Sequence, residues 1–207
     1  MPRALKKVSG FRGFGVSGLI SRELSQPRHH ATAQLKIESY PDLPGFIRAL
    51  AALIRPAYDL LALQAKAKNL LSPRLLLSAH GLPQKNIAAG DPYAAQCGQS
   101  AAAVAQALNI PGLDWALCYQ SRVGPLDWIR PYADDEILRA GAENRPLLIA
   151  PLAFTAENSE TLYEINQLYR ELAAKSGVPL FACGPCVNAH PLFIEGLAGL
   201  VRKAGAG

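Results

Sequence analysis

At 207 residues, the chain is long enough to bury a sizeable core; half its residues are hydrophobic and 18% charged, which excludes disorder of the whole. The net charge of +5 is mild, and much of the excess lies in the first thirty residues, where Arg3, Lys6, Lys7, Arg12, Arg22 and Arg28 face only Glu23. Such a segment suits an anionic surface, but a solvated tail is the favoured reading and no nucleic-acid partner is expected. No apolar stretch approaches a membrane span, and "FGVSGLI" is too short and glycine-rich for a signal core. The expectation is a cytoplasmic protein, at most peripheral to the inner membrane.

Residues 1–30 show no sustained period and contain four glycines, so they form a poorly specified segment ahead of a domain spanning 31–207. "ATAQLKIESY" reads as a short strand, and a helix is predicted from Pro44, with Phe46, Ile47, Leu50, Leu53 and Ile54 at helical spacing. Pro56 is expected to kink or break it. "RLLLSAH" is the next strand, an apolar run bounded by Gly81 and Pro83. A helix follows in "DPYAAQCGQSAAAVAQALN", with Asp91 as N-cap and Pro92 at its first position. Then come strand "DWALCYQS", helix "DDEILRAGA", strand "PLLIAPLAF", helix "SETLYEINQLYRELAAKSG" stopped by Gly177, strand "VPLFAC" and helix "HPLFIEGLAGLVRKAG". This alternation predicts an α/β fold, a doubly wound parallel sheet of four to five strands with helices on both faces.

In such sheets ligands collect at the carboxyl ends of the strands, here "SAHGLP", "QSRVGP", "AFTAENSE" and "CGPCVN". There is no G-x-G-x-x-G after the first strand and no P-loop, which leaves nucleotide binding without support. His80 leaves one strand; Gln120, Ser121 and Arg122 leave the next; Glu157, Asn158 and Glu160 leave the third, where a helix begins. Glu160 and Glu164 share a helix face. Ser159 as N-cap with carboxylates near a positive helix end is the plain structural account, and it suits Glu164. For Glu160, facing an imidazole across neighbouring strand ends, a proton-transfer or metal-handling pair is favoured. No G-x-S-x-G elbow exists, so serine hydrolysis is set aside.

"CGPC" at 183–186 has the spacing of a redox pair or half a metal site, but it closes a strand rather than opening a helix. Cys97 and Cys118 belong to different elements, so structural thiols are favoured over a metal or iron–sulfur site.

Four stretches, "LLLSAHGLP", "GDPYAAQ", "CYQSRVGPLDWIRPY" and "PLAFTAENSETLYEINQLYRELA", closely resemble the carboxyl-terminal half of the ferrochelatase family. Members of that family are lyases that insert ferrous iron into protoporphyrin IX in haem biosynthesis. The resemblance runs from about Lys36 to Arg202 and implies one of two similar doubly wound halves that enclose a porphyrin cleft. It makes His80 the active-site histidine of the S-A-H-[GS] motif and Glu160 the essential glutamate of H-x-E-T-L, the two metal-handling residues. Glu157 and Glu164 match acidic positions along the same polar path, and Gln120, Ser121, Arg122 and Trp128 match residues that line or support the cleft. Asn158 stands where the family usually has histidine, and Asn166 where aspartate is usual. A neutral amide cannot shuttle a proton. The implied partners are porphyrin and ferrous iron, both substrates, with no tightly bound cofactor and no iron–sulfur cluster. Because residues 1–30 lack the family's pattern, a truncated or frame-shifted chain that self-associates is expected. A homodimeric single-domain tetrapyrrole chelatase and an inactive, porphyrin- or partner-binding remnant are the alternatives.

Overall fold

The strand Arg74–His80 (β1) is buried on both sides from Arg74 through Ala79. Its leucines therefore belong to two cores. Leu75, Leu77 and Ala79 pack with the helices on one face, among Leu50, Ile54, Val104 and Leu108. Leu76 packs on the other, among Ile137, Ala140, Ile165 and Ala173. Each fully buried leucine contributes about 1.5–3 kcal/mol of transfer free energy, which is why the central strand is a near-continuous apolar run.

The structure is a computed structural model that describes residues 36–205. Among these residues four strands form one sheet: β1, Asp114–Gln120 (β2), Leu147–Pro151 (β3) and Phe181–Cys183 (β4), in the order β2-β1-β3-β4. All neighbouring pairs are parallel. The helices are Pro44–Ala67 (α1), Gln84–Ala88 (α2), Tyr93–Leu108 (α3), Ala133–Ala142 (α4), a π-helix over Glu160–Leu168, Tyr169–Lys175 (α5) and Pro191–Gly205 (α6). The doubly wound α/β sheet expected from the alternation is the one observed.

Four local expectations are corrected. The strand "ATAQLKIESY" is not formed over residues 36–40, which have no regular structure; residues 31–35 and the segment 1–30 lie outside the described residues. Pro56 does not break α1: Ala52, whose carbonyl loses its helical donor there, lies with Pro56 on the exposed side. The buried stripe Ile54, Tyr58, Leu61 and Ala65 carries the helix on. The next helix starts one residue later than expected, with Pro92 just ahead of Tyr93, while Asp91 Oδ1 still accepts the Tyr93 N–H at 2.9 Å. Finally, the short α2 was not anticipated; five residues with none buried leave no period to read.

The amino end of the sheet is tied by charges that no pattern announced. Arg74, at the start of β1, is buried; its Nε donates to both Asp114 carboxylate oxygens at 3.0 Å and its Nη2 to Glu143 Oε2 at 2.8 Å. Arg145 closes the square, 2.9 Å from Asp114 and 3.3 Å from Glu143. The network joins the first residues of β1 and β2 to the end of α4, so it fixes the register that aligns the opposite ends of the strands.

The Arg74 hydrogen bond holds the Glu143 carboxyl below its ordinary value, against an opposing push from desolvation. A lowered folded-state pKa contributes stability above the ordinary carboxylate range and loses it as pH falls through the lowered value. Arg74→Leu is therefore expected to cost about 2–3 kcal/mol near pH 7, since a partner of a buried ion network is removed. The gap between variant and parent should narrow below about pH 4. Urea unfolding at both pH values checks this; a gap independent of pH would contradict the linkage.

Candidate functional site

Register brings the site together. His80, the last residue of β1, pairs with Gln120, the last of β2. Gly81 then turns the chain over Gln120, its N–H donating to the Gln120 carbonyl at 2.8 Å. A Cβ at Gly81 would sit 3.0 Å from that carbonyl oxygen and 3.2 Å from the Trp128 ring, so any side chain there would be a tight fit that pushes its neighbours by a few tenths of an ångström.

His80 is half-buried and its ring is oriented by one contact, Nδ1 to the Gly81 carbonyl at 2.7 Å. A carbonyl can only accept, so Nδ1 carries the hydrogen and Nε2 of the neutral ring is the free lone pair. Nε2 lies 3.7 Å from Glu160 Oε2. Phe154 meets the imidazole edge-on at 6.1 Å and Trp128 lies at 6.5 Å, making apolar walls beside a base. The Tyr93 hydroxyl donates to the His80 carbonyl at 2.9 Å. Neither Phe154 nor Tyr93 had been singled out in the sequence, because an aromatic after a strand or at a helix start reads as core.

Glu160 opens the π-helix, in which the Tyr169 N–H reaches back five residues to the Glu164 carbonyl. The wide turn keeps Glu160 and Glu164 on one face, and both meet Ser121. Glu164 is the more constrained. Its Oε1 accepts the Ser121 N–H at 2.9 Å and the Tyr169 hydroxyl at 3.1 Å; its Oε2 accepts the Ser121 hydroxyl and the Gln120 amide at 3.3 Å. Gln120 is fully buried and accepts the Ser78 hydroxyl at 2.6 Å. Ser121 adopts φ 65°, a left-handed conformation unusual for a residue with a side chain. Burial and the Glu164 carboxylate both push the Tyr169 phenol upward, keeping it a donor.

An open cavity of about 330 Å³ adjoins these groups, lined by Gln120, Ser121, Arg122, Trp128, Glu164 and Tyr169 among others. His80 and Glu160 are not in its lining; they lie at the neighbouring open edge. Arg122 is held there by Asp134 at 2.7 Å and by stacking on Tyr132 at 3.9 Å.

Other sequence candidates sit apart. The Glu157 carboxylate accepts the Thr161 hydroxyl and the Cys186 N–H, both at 2.7 Å, and so binds the loop after β4 to the π-helix; its hydrogen bonds reach neither His80 nor Glu160. The N-cap is Asn158 rather than Ser159: Asn158 Oδ1 accepts the N–H groups of Glu160 at 2.8 Å and Thr161 at 3.2 Å, whereas Ser159 makes no capping bond. Asn166 accepts from Arg170 at 3.1 Å on an exposed face. Cys97 and Cys118 pack on opposite faces of the sheet. Burial raises the Cys183 thiol to about 11 and the Cys186 thiol to about 12, which keeps both protonated near neutral pH. Among the described residues no three metal-ligating side chains converge; at the open edge His80 and Glu160 are the pair that face each other.

The family model described as ferrochelatase matches residues 17–205, starting ahead of Lys36, where the motif resemblance begins. A ferrochelatase of Phenylobacterium zucineum is 48% identical over 171 residues, 81% of this chain and 48% of that protein. One of Caulobacter vibrioides is 46% identical over 171 residues, 83% and 47% of the two chains. One of Rippkaea orientalis is 38% identical over 182 residues, 87% and 45%. The chain thus spans about half the length of the curated relatives it matches. Among solved structures, "SirB from Bacillus subtilis with Fe3+" aligns with a TM-score of 0.49 at 15% identity, covering 77% of this chain and 56% of that one.

Asn158→Ala should remove the side-chain cap of the π-helix and cost about 1 kcal/mol in urea unfolding. The His80 contacts at the end of β1 should persist, visible as an unchanged imidazole NMR signal. A change near zero would mean that the cap adds nothing to the helix it begins.

Proposed function

The chain belongs to the ferrochelatase family, and we propose that its open sheet edge inserts ferrous iron into protoporphyrin IX to form protohaem. Fe²⁺ and the porphyrin are substrates here rather than resident cofactors. The observation that carries the reading is the free His80 Nε2, fixed by the Nδ1 bond to Gly81 and 3.7 Å from Glu160 Oε2.

Two pyrrole N–H protons must leave a free-base porphyrin as the metal enters. A neutral imidazole near the ring centre is a suitable acceptor for the first, and Glu160 beside it receives the proton or presents the hydrated ion, which takes nitrogen and oxygen ligands. Trp128 and Phe154 offer the rigid apolar surface against which a planar ring distorts and exposes a nitrogen lone pair. Gln120, Ser121, Arg122 and Glu164 support that edge. Glu157 holds the helix that bears Glu160.

A porphyrin has two large faces, and this half supplies a wall for one. The second wall comes from outside the described residues, a second copy of this chain or a complementary half, and exposed apolar side chains such as Val123 and Leu126 after β2 suit such a contact. No helix among the described residues is long and apolar enough to cross a membrane. A cytoplasmic protein touching the membrane at its surface is the matching location.

The experiment is to express residues 1–207, separate monomer from oligomer by size, and assay each fraction for zinc or iron insertion into free-base porphyrin. Turnover is expected in the oligomer and little in the monomer. His80→Ala should lower it by about 10²–10⁴-fold with the fold intact. Turnover retained by His80→Ala refutes the base; turnover in a clean monomer refutes the second wall; silence in every fraction favours a binding-only remnant.

A further inference from the structure

One side of α6 is packed and the other is bare. Phe193 is buried beside Tyr40 and Phe46, and Gly196 lies so close to α1 that a Cβ there would sit 3.3 Å from the Gly45 Cα. On the opposite side Ile194 is 48% and Val201 51% exposed. With Ala198 they form an i, i+4, i+7 stripe of apolar side chains. Gly199 borders that stripe, and a Cβ added to it would meet nothing. Glycine weakens a helix interior relative to alanine, and unlike Gly196 this one has no close neighbour among the described residues to account for it. Glu195 and Arg202 share this side, and both are exposed. They stand seven residues apart, about 10 Å along the axis, too far to pair with each other. No ion pair among the described residues uses either of them.

We propose that this face is a two-fold interface on which a second copy of the chain seats its own α6, antiparallel and crossing near Ala198 and Gly199. The midpoint between Glu195 and Arg202 falls between those two residues. A two-fold axis there sets each Glu195 opposite Arg202 of the second copy, so the face is complementary to itself in charge. A parallel pairing would set Glu195 beside Glu195 and Arg202 beside Arg202, and like-charge repulsion rejects it. Ile194 and Val201 of each copy flank the crossing, and the small Ala198 and Gly199 let the two backbones approach. The apolar contact supplies the affinity; exposed ion pairs add little to it but fix the orientation. One pair of helices is a small interface, so the dimer is weak and depends on concentration. α6 follows β4, the edge strand opposite β2, so this contact is separate from any wall over the cavity after β2 and does not rest on the function proposed above.

The test is the mass of residues 1–207 in sedimentation equilibrium over a range of concentrations. It is expected to rise from that of one chain toward that of two. Glu195→Arg or Arg202→Glu alone should raise the dissociation constant on the order of tenfold, because each sets like charges opposite one another. The double reversal, or an equimolar mixture of the two single variants, should return it to the parent value. Gly199→Arg, whose Cβ enters open space, should abolish the dimer. Its circular dichroism and urea midpoint, read at a concentration where the parent is a single chain, should match those of the parent. A parent that stays monomeric at every concentration overturns the proposal. So does an oligomer that Gly199→Arg leaves intact, or one that single charge reversals do not weaken or the double reversal does not restore. None of these results touches the role of His80, which metal insertion by His80→Ala decides separately.

Discussion

One carboxylate holds the site in shape. Glu164 accepts hydrogen bonds from the backbone and hydroxyl of Ser121, from the Gln120 amide and from the Tyr169 phenol. Those donors come from the end of β2, the turn after it and the first residue of α5, so a single anion joins the sheet edge to the helix that carries Glu160. Hydrogen bonds to a charged acceptor are worth roughly 1.5–3 kcal/mol each when well formed, more than neutral ones. Losing such an acceptor would leave the half-buried donors around it without a partner, so its role in placing Glu160 and its role in stability cannot be separated by a crude truncation.

The two ends of the sheet divide the work. At the amino end, the Arg74–Asp114–Glu143–Arg145 square locks β1 against β2. Parallel pairing then transmits that register along seven residues, from Arg74 opposite Asp114 to His80 opposite Gln120. A slip of one residue would turn His80 toward the other face of the sheet and away from Glu160. The catalytic-looking end is accordingly open and half-exposed, while the charges at the structural end are drawn inward.

Much of this was legible in the residues. The strand-helix alternation gave the sheet, because buried parallel strands must be apolar and their crossovers amphipathic. His80 and Glu160 could be paired from their positions after strands alone, since β1 and β3 are neighbours whose carboxyl ends must coincide. Three kinds of feature were not legible. Arg74 looks like a surface cation until its partners at Asp114 and Glu143, distant in sequence, are seen. The π-helix has the apolar spacing of an α-helix, and only backbone bonds that reach back five residues, such as Tyr169 to Glu164, distinguish it. Asn158 and Ser159 are equally good caps by type, and which one turns toward the helix depends on how the chain leaves β3.

The two departures from the family pattern bear on how a proton could move. Asn158 turns its amide oxygen onto the backbone of the π-helix and its Nδ2 toward the Ala156 carbonyl, while Asn166 faces Arg170. Neither hydrogen-bonds to the side chain of His80, Glu160, Ser121 or Glu164; Asn158 meets Glu160 only at its backbone N–H. A neutral amide at these positions therefore leaves the contacts among those four groups untouched. What it removes is a titratable group at each position, while His80 and Glu160 retain the geometry on which the proposed insertion rests.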